Sequence, residues 1–388
     1  MRWASASSTL PNGAAAAAEA AVQVRDALGE GAVDLCVAFF SGHHVSAADG
    51  IATSLRGALA PGTMAAVSAR GVVTAEHEVE QGPGLSLIAA RLPGVEVKPF
   101  LLHQETWGPP IEDQAAFDMA APGARDSELV LLVGDPFSID VERVLSLFHR
   151  FAPEVRLVGG LASAGARPGT NVVLLNDWMS PEGAVAICLH GALRADVVVS
   201  QGCAPIGPPL DVTHVEEHLL ITLDGIPALE RIEQVLGGVP ESERQRLRQG
   251  LYVGRPVRRD AAGPGDYLIR NLLGADRDRG ALAVGDRISP RERIRLHVRD
   301  ARAAIEDLEL LLSPQAFDSP AAGALVFACN GRGRSFFGAP DRDIATLQGA
   351  LGGQVPAAGM FCAGEIGPVG GRNYLHGHTA SIAILRPR

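Results

Sequence analysis

The sequence predicts an α+β protein of two domains, each made of mixed sheets with helices packed on them. Three observations carry this: a β-α-β-β unit recurs three times, apolar residues make up 47% of 388 positions, and a Pro/Gly-rich stretch at 201–210 interrupts the pattern. At roughly 100 to 200 residues per domain, the length suits two or three domains. Charged residues are only 20% of the chain, too few for disorder to compete with a core of that apolar content.

Each unit opens with a short apolar run of the kind that forms a buried strand: 33–41, 129–134 and 324–330. Each run leaves through polar or glycine residues, namely Ser41-Gly42-His43-His44, Gly134-Asp135-Pro136-Phe137 and Asn330-Gly331-Arg332-Gly333. Helices follow at 47–59, 139–151 and 341–351, where apolar residues recur at spacings of three and four behind the caps Ser46, Ser138 and Asp341. A second apolar run then ends in small residues, at 65–71, 157–165 and 360–365. Ser68, Ser163 and Cys362 take the same place in the three units, so the turn is read as needing a small residue. The third strands are 85–92, 184–191 and 379–385. A crossover helix makes the first two strands of a unit parallel, and a hairpin-like return adds the antiparallel third. In the second unit 171–176 adds a further strand before the turn at 180–183.

Between the second and third units the texture changes. Proline and glycine at 201–210 deny both helix and inner strand, so the boundary is placed there: domain one at 1–200, a linker at 201–210, domain two at 211–388. Beyond it, 211–223 reads as a strand pair, 226–236 as a helix, 244–249 as a polar helix, 267–273, 281–284 and 294–298 as strands, and 300–312 as an amphipathic helix.

The net charge of −10 argues against nucleic acid, whose phosphates need a basic field. Lys98 is the lone lysine among 34 cations, a bias of composition that carries no function. The five cysteines, Cys36, Cys188, Cys203, Cys329 and Cys362, are odd in number and widely spaced, which fits reduced thiols and a cytoplasmic location. Glu19, Arg25 and Asp26 break the N-terminal alanine tract, so neither a signal peptide nor a membrane span is expected.

The runs 325–333 (Leu-Val-Phe-Ala-Cys-Asn-Gly-Arg-Gly), 359–368 (Gly-Met-Phe-Cys-Ala-Gly-Glu-Ile-Gly-Pro) and 373–379 (Asn-Tyr-Leu-His-Gly-His-Thr) resemble the C-terminal half of the FIST family, the F-box and intracellular signal-transduction proteins. The segment Asp34-Leu35-Cys36-Val37 and the turn Ser68-Ala69-Arg70-Gly71 are similar to the companion FIST N domain. The resemblance implies a bacterial small-ligand sensing module, with amino acids as a candidate ligand class. No kinase, cyclase, methyl-acceptor domain or F-box is evident, so a separate signalling protein is the expected output partner.

In the residues themselves, two glycines in Asn330-Gly331-Arg332-Gly333-Arg334 allow backbone N–H groups to face an anion while Arg332 or Arg334 grips a carboxylate. The bland alternative is a tight turn with solvated arginines. Glu365 leaves an apolar run beside two small residues, so its charge needs a cation, a ligand amine or N–H donors, an ion pair with Arg332, Arg334 or Arg372 being the structural alternative. With the motifs that carry the resemblance, the expected ligand contacts are Asn330, Gly331, Arg332, Gly333, Cys362, Gly364, Glu365, Asn373 and His376, joined by Ser68 and Arg70. No catalytic residue, metal or cofactor is expected. Two alternatives stand beside this reading: a haem-dependent gas sensor, although no Cys-x-x-Cys-His motif is present, and a thiol-dependent hydrolase using Cys362 with His376 and Glu365. His376-x-His378 shares one face of an extended segment yet lacks further metal donors, and His43-His44 is read as structural.

Overall fold

The computed structural model describes residues 1–247, 250–257 and 267–388. It contains two compact units, one formed by 1–199, 308–375 and 379–388, the other by 200–307 with 376–378. The fold is α+β, with mixed sheets and packed helices.

The larger unit holds three six-stranded sheets that repeat one plan. In the first, Leu35–Ser41 lies parallel to Thr63–Ala69 and antiparallel to Leu85–Arg91. In the second, Leu129–Gly134 lies parallel to Arg156–Leu161 and antiparallel to Ala184–Gly191. In the third, Gly323–Cys329 lies parallel to Ala357–Cys362 and antiparallel to Thr379–Pro387. The parallel pairs need crossover helices, supplied by Ala48–Leu59, Val141–Phe151 and Arg342–Ala350. The threefold β-α-β-β unit is therefore present, with one correction: the third strand flanks the first strand, not the second, so it is no hairpin return. An outer strand, respectively Arg2–Ser8, Val95–Leu102 and Leu193–Gln201, completes that side of each sheet.

The other flank is exchanged between sheets. Between its second and third strands each unit sends out a short hairpin that pairs with another unit's second strand. Val72–Val73 joins the third sheet at Gly359 and Met360. Val173–Leu175 joins the first at Ala65 to Val67. Glu365–Val369 joins the second at Gly159 and Gly160. The exchange closes a ring of three.

Burial explains why these segments fold so. Strands such as Leu35–Ser41 and Leu129–Gly134 are buried along their whole length, which is why they read as continuous apolar runs. Helix Val141–Phe151 buries Val141, Val144, Leu145, Leu147 and Phe148, each worth about 1.5–3 kcal/mol when fully withdrawn from water. Its cap is Asp140, whose carboxylate accepts the Arg143 N–H at 3.0 Å, rather than Ser138. Ser46 does not cap either, because a 3-10 turn over Gly42–Ala47 leads into the first crossover helix. The alanine tract forms helix Gly13–Leu28, whose small side chains pack against the first sheet's outer face.

The smaller unit is a seven-stranded sheet with helix Ala228–Gly237 packed on it through Ala228, Ile232 and Val235. The expected linker at 201–210 is a correction: strand Cys203–Glu216 runs through it, paired with Arg293–Arg299. Pro208 falls where the register slips between Ile206 and Pro209, while Pro205 and Pro209 pair with His297 and Arg295 along a stretch ahead of the second pairing, which begins at Val212, so a position turned away from the ladder needs no N–H. The single cut into 1–200 and 211–388 gives way as well, since 308–375 and 379–388 return to the unit that holds 1–199. Of the expected polar helix at 244–249, Glu241–Leu247 is helical and 248–249 lie outside the described residues.

Candidate functional site

Pairing fixes which residues of the three sheets correspond. Phe40 faces Ser68, Gly134 faces Leu161 and Ala328 faces Phe361 across the parallel pairs. One residue further, Ser41, Asp135 and Cys329 are equivalent, and so are Ala69, Ala162 and Cys362. The expected match of Ser68, Ser163 and Cys362 is thus corrected: small size aligned them in sequence, but the ladders set Ser68 beside Leu161 and Phe361.

The third sheet's exit is the distinctive one. The Asn330 N–H donates to the Cys362 carbonyl at 2.9 Å and the Arg332 N–H to the Cys329 carbonyl at 2.8 Å, which bends the chain sharply. Gly333 continues the turn at φ +95°, where a Cβ would lie 2.7 Å from the Glu80 carboxylate. The bend folds Arg332 under the strand end, leaving it 2% exposed. Its Nε and Nη2 donate to Asp343 at 2.7 and 2.6 Å, a bidentate pair, with the Phe337 ring 5.2 Å from the guanidinium carbon. Burial works against the Arg332 charge, yet Asp343 outweighs it and holds the guanidinium above its ordinary value.

Asp343 stands in the first turn of helix Arg342–Ala350. The Asp343 and Ile344 N–H groups donate to Glu78 Oε1 at 2.9 and 3.2 Å, so a carboxyl from the first unit's hairpin caps this helix in place of the expected Asp341 side chain. Asp341 instead accepts the Glu78 N–H at 2.6 Å. Burial, then the Asp343 charge, pushes the Glu78 carboxyl up to about 8. Glu365 is fully buried and accepts the Thr379 N–H and hydroxyl at 3.1 and 2.8 Å. Burial pushes it to about 8 against the opposing pull of Thr379, Arg332 and a hydrogen bond from Cys329.

Above this corner lies a hollow of about 100 Å³ lined by Arg70, Gly71, Glu80, Gln81, Asn330, Arg332, Ser335 and Phe361. Two residues of its lining carry buried side-chain atoms without a hydrogen-bond partner, Arg332 Nη1 and Asn330 Oδ1. A buried donor and a buried acceptor left bare are costly unless something meets them.

Of the expected contacts, Asn330, Arg332 and Arg70 line the hollow. Gly331, Gly333, Cys362, Gly364 and Glu365 form the turn and floor behind them. Ser68 and Asn373 are fasteners instead: the Ser68 hydroxyl accepts the Val172 N–H at 2.8 Å, and Asn373 bridges the Leu157 N–H and the Val155 carbonyl at 2.9 and 2.7 Å. His376 does not line the hollow. Burial raises the Cys362 thiol well above its ordinary range, which opposes thiolate chemistry there. His43 and His44 lie in a 3-10 turn, not a strand, and His44 is fully buried. Among the described residues no group of three or more His, Cys, Asp and Glu side chains is placed to hold a metal ion. Sequence reasoning missed Glu80, Asp343 and Glu78; the first two acids lie two residues from a glycine turn or a helix start, positions where solvated acids are commonplace.

Three exchanged sheets around a common core, with a polar hollow at one strand exit, define an α+β protein. The chain belongs to the FIST family: the FIST N domain model matches 34–226 and the FIST C domain model 228–368. FIST domains are associated with signal-transduction sensing. An uncharacterized protein of Mycobacterium tuberculosis (strain H37Rv) is 36% identical over 382 residues, covering 97% of this chain and 98% of the relative. An uncharacterized protein of Mycobacterium bovis is also 36% identical over 382 residues, covering 97% of each. A solved cyanuric acid hydrolase of A. caulinodans shares 11% identity over 49% of this chain and 71% of its own, with a TM-score of 0.27, a likeness too weak to carry an argument. No helix among the described residues is long and apolar enough to cross a membrane.

Proposed function

We propose that this chain is a non-catalytic, cytoplasmic sensory protein that binds a small zwitterion, an amino acid, in the hollow at the third sheet's exit and signals through a separate protein partner. The observation that supports it is that Arg332 and Asn330, two residues of one hollow's lining, each carry a buried polar atom, Nη1 and Oδ1, without a hydrogen-bond partner. In this reading the ligand carboxylate meets Arg332 Nη1 and Arg70, and the ammonium meets Asn330 Oδ1 and Glu80. Glu80 takes the role expected of Glu365, which lies behind the guanidinium as part of the floor. Asp343 already neutralises Arg332, so the second positive charge from Arg70 is what favours an anion at the mouth.

Thermal-shift measurements with each of the twenty amino acids at millimolar concentration test this. A ligand at about 100 times its Kd stabilises the native state by ~2.7 kcal/mol, a readily visible shift. Asn330→Ala and Arg70→Ala are expected to reduce the shift while leaving the ligand-free melting point near wild type. No shift with any amino acid would reject the ligand class.

A further inference from the structure

We propose that Cys329 and Cys362 are a redox-modifiable pair that closes to a reversible disulfide at the end of the third sheet. The two residues are direct register partners on neighbouring parallel strands. Strand spacing sets such Cα atoms about 4.8 Å apart, inside the window of roughly 4.4–6.8 Å that a disulfide spans. Their side chains share a face: the partner pairs Leu325/Ala358 and Phe327/Met360 on the same strands both point into the central core, and alternation brings 329 and 362 to that side. None of the other three cysteines faces a cysteine across its strand pairs: Cys36 meets Met64 and Ala89, Cys188 meets Lys98 and Val130, and Cys203 meets Arg299.

Comparison with the other sheets shows that the scaffold does not require thiols here. The equivalent pairs are Ser41 with Ala69 and Asp135 with Ala162. Room for the second sulfur comes from Gly160, where a Cβ would come within 2.3 Å of Cys362 Sγ. Access is asymmetric: Cys329 is half-buried while Cys362 is fully buried, so an oxidant arriving from solvent reaches Cys329 first.

The chemistry balances with a peroxide as oxidant. Cys329 Sγ attacks one peroxide oxygen, the O–O bond breaks, its thiol proton passes to the departing oxygen as water forms, and Cys329 becomes a sulfenic acid. Cys362, which burial keeps as the thiol, gives up its proton only as its Sγ attacks the adjacent Cys329 sulfur: the S–O bond breaks and the proton leaves with the hydroxyl as a second water. Two thiols lose two electrons, and hydrogen peroxide is reduced to two waters. A Cα separation of about 4.8 Å is shorter than the roughly 5.5–6 Å usual for a disulfide, so the bond is strained and readily reduced, as a switch requires.

The inference does not depend on the amino-acid reading. It is tested by treating the full-length protein with hydrogen peroxide, blocking remaining thiols with N-ethylmaleimide and mapping non-reduced peptides by mass spectrometry. Expected are a Cys329–Cys362 linked peptide that dithiothreitol abolishes, with Cys36, Cys188 and Cys203 still alkylated. Cys329→Ser and Cys362→Ala, which install residues that other sheets carry at these places, should each remove the link, and the second should leave Cys329 open to a sulfenic-acid probe. Cys329 and Cys362 both alkylated after peroxide, or Cys329 taken to sulfinic acid beside a reduced Cys362, would overturn it. The wild-type map decides the matter even if a variant fails to fold.

Discussion

At the position where the first strand ends, the first sheet carries Ser41, whose hydroxyl accepts the Gly84 N–H at 3.0 Å. The second sheet carries Asp135, which accepts from the Phe137 N–H, the Ser138 hydroxyl and the Asn171 amide at 3.1, 2.8 and 2.9 Å. The second turn closes its hydrogen bonds, while the first leaves both ring nitrogens of the buried His44 without a partner. The third sheet differs in gathering Cys329, Arg332, Asp343, Glu78 and Glu365 within one corner, where a charged donor, Arg332 Nη1, is left bare beside the Asn330 Oδ1 acceptor. Since the same strand and crossover plan forms without those charges twice over, they are not there to make the sheet. The contrast separates scaffold from site within a single chain.

The largest expected effect that sharpens this contrast is on pH dependence. The Glu78 and Glu365 carboxyls sit at about 8 in the folded chain against an ordinary value of 4.5, Glu78 through burial and the Asp343 charge, Glu365 through burial. Groups raised on folding contribute stability that is fully present below their unfolded value and is lost as pH rises through the folded one. Melting followed from about pH 5 to about pH 9 should show stability falling across that window. Glu365→Gln should flatten the fall; an unchanged slope in that variant would mean that Glu365 is not held protonated.

Next in size is the ion pair. Arg332→Ala strands the Asp343 carboxylate in the core, and removing one partner of a buried pair costs about 3–5 kcal/mol in chemical denaturation. The double change Arg332→Met with Asp343→Leu should recover most of it, because the first two sheets manage without such a pair. Failure of the double variant to recover would break the contrast, making the charges part of the scaffold after all.

Smallest is a packing test at the sheet junction. Gly160→Ala drives a methyl into Cys362 Sγ and should cost about 1–3 kcal/mol by overpacking. Adding Cys362→Ala, the residue the first two sheets carry there, should return most of that loss in a double-mutant cycle. Additive losses would show that the strand backbone, not the sulfur, limits the site.

The threefold unit was legible because fully buried strands leave unbroken apolar runs and each crossover helix repeats its apolar residues at three and four. The outer strands were not. Val95–Leu102 alternates in burial and carries Lys98 and Pro99, while Arg2–Ser8 is mostly small residues, so neither shows an apolar run. Destinations of the exchanged hairpins were invisible as well, since two or three residues such as Val72–Val73 carry no local mark of a partner nearly 290 positions away. The proline-rich segment misled because a bulge tolerates what a regular inner strand excludes. At the site, the glycine-flanked Arg332 and the buried Glu365 stood out by their surroundings. Asp343 did not, because an acid in a first helical turn is ordinary until a guanidinium is folded beneath it.

The ring of exchanged hairpins also sets an order of assembly on the ribosome. Val72–Val73 emerges well before the strand that receives it, Ala357–Cys362. The first sheet likewise waits for Val173–Leu175 to gain its far flank. Contacts this distant in sequence slow folding, so the growing chain keeps unpaired strand edges until the receiving strand has been made. A truncation that removes the last strands should therefore be felt in all three sheets rather than in one.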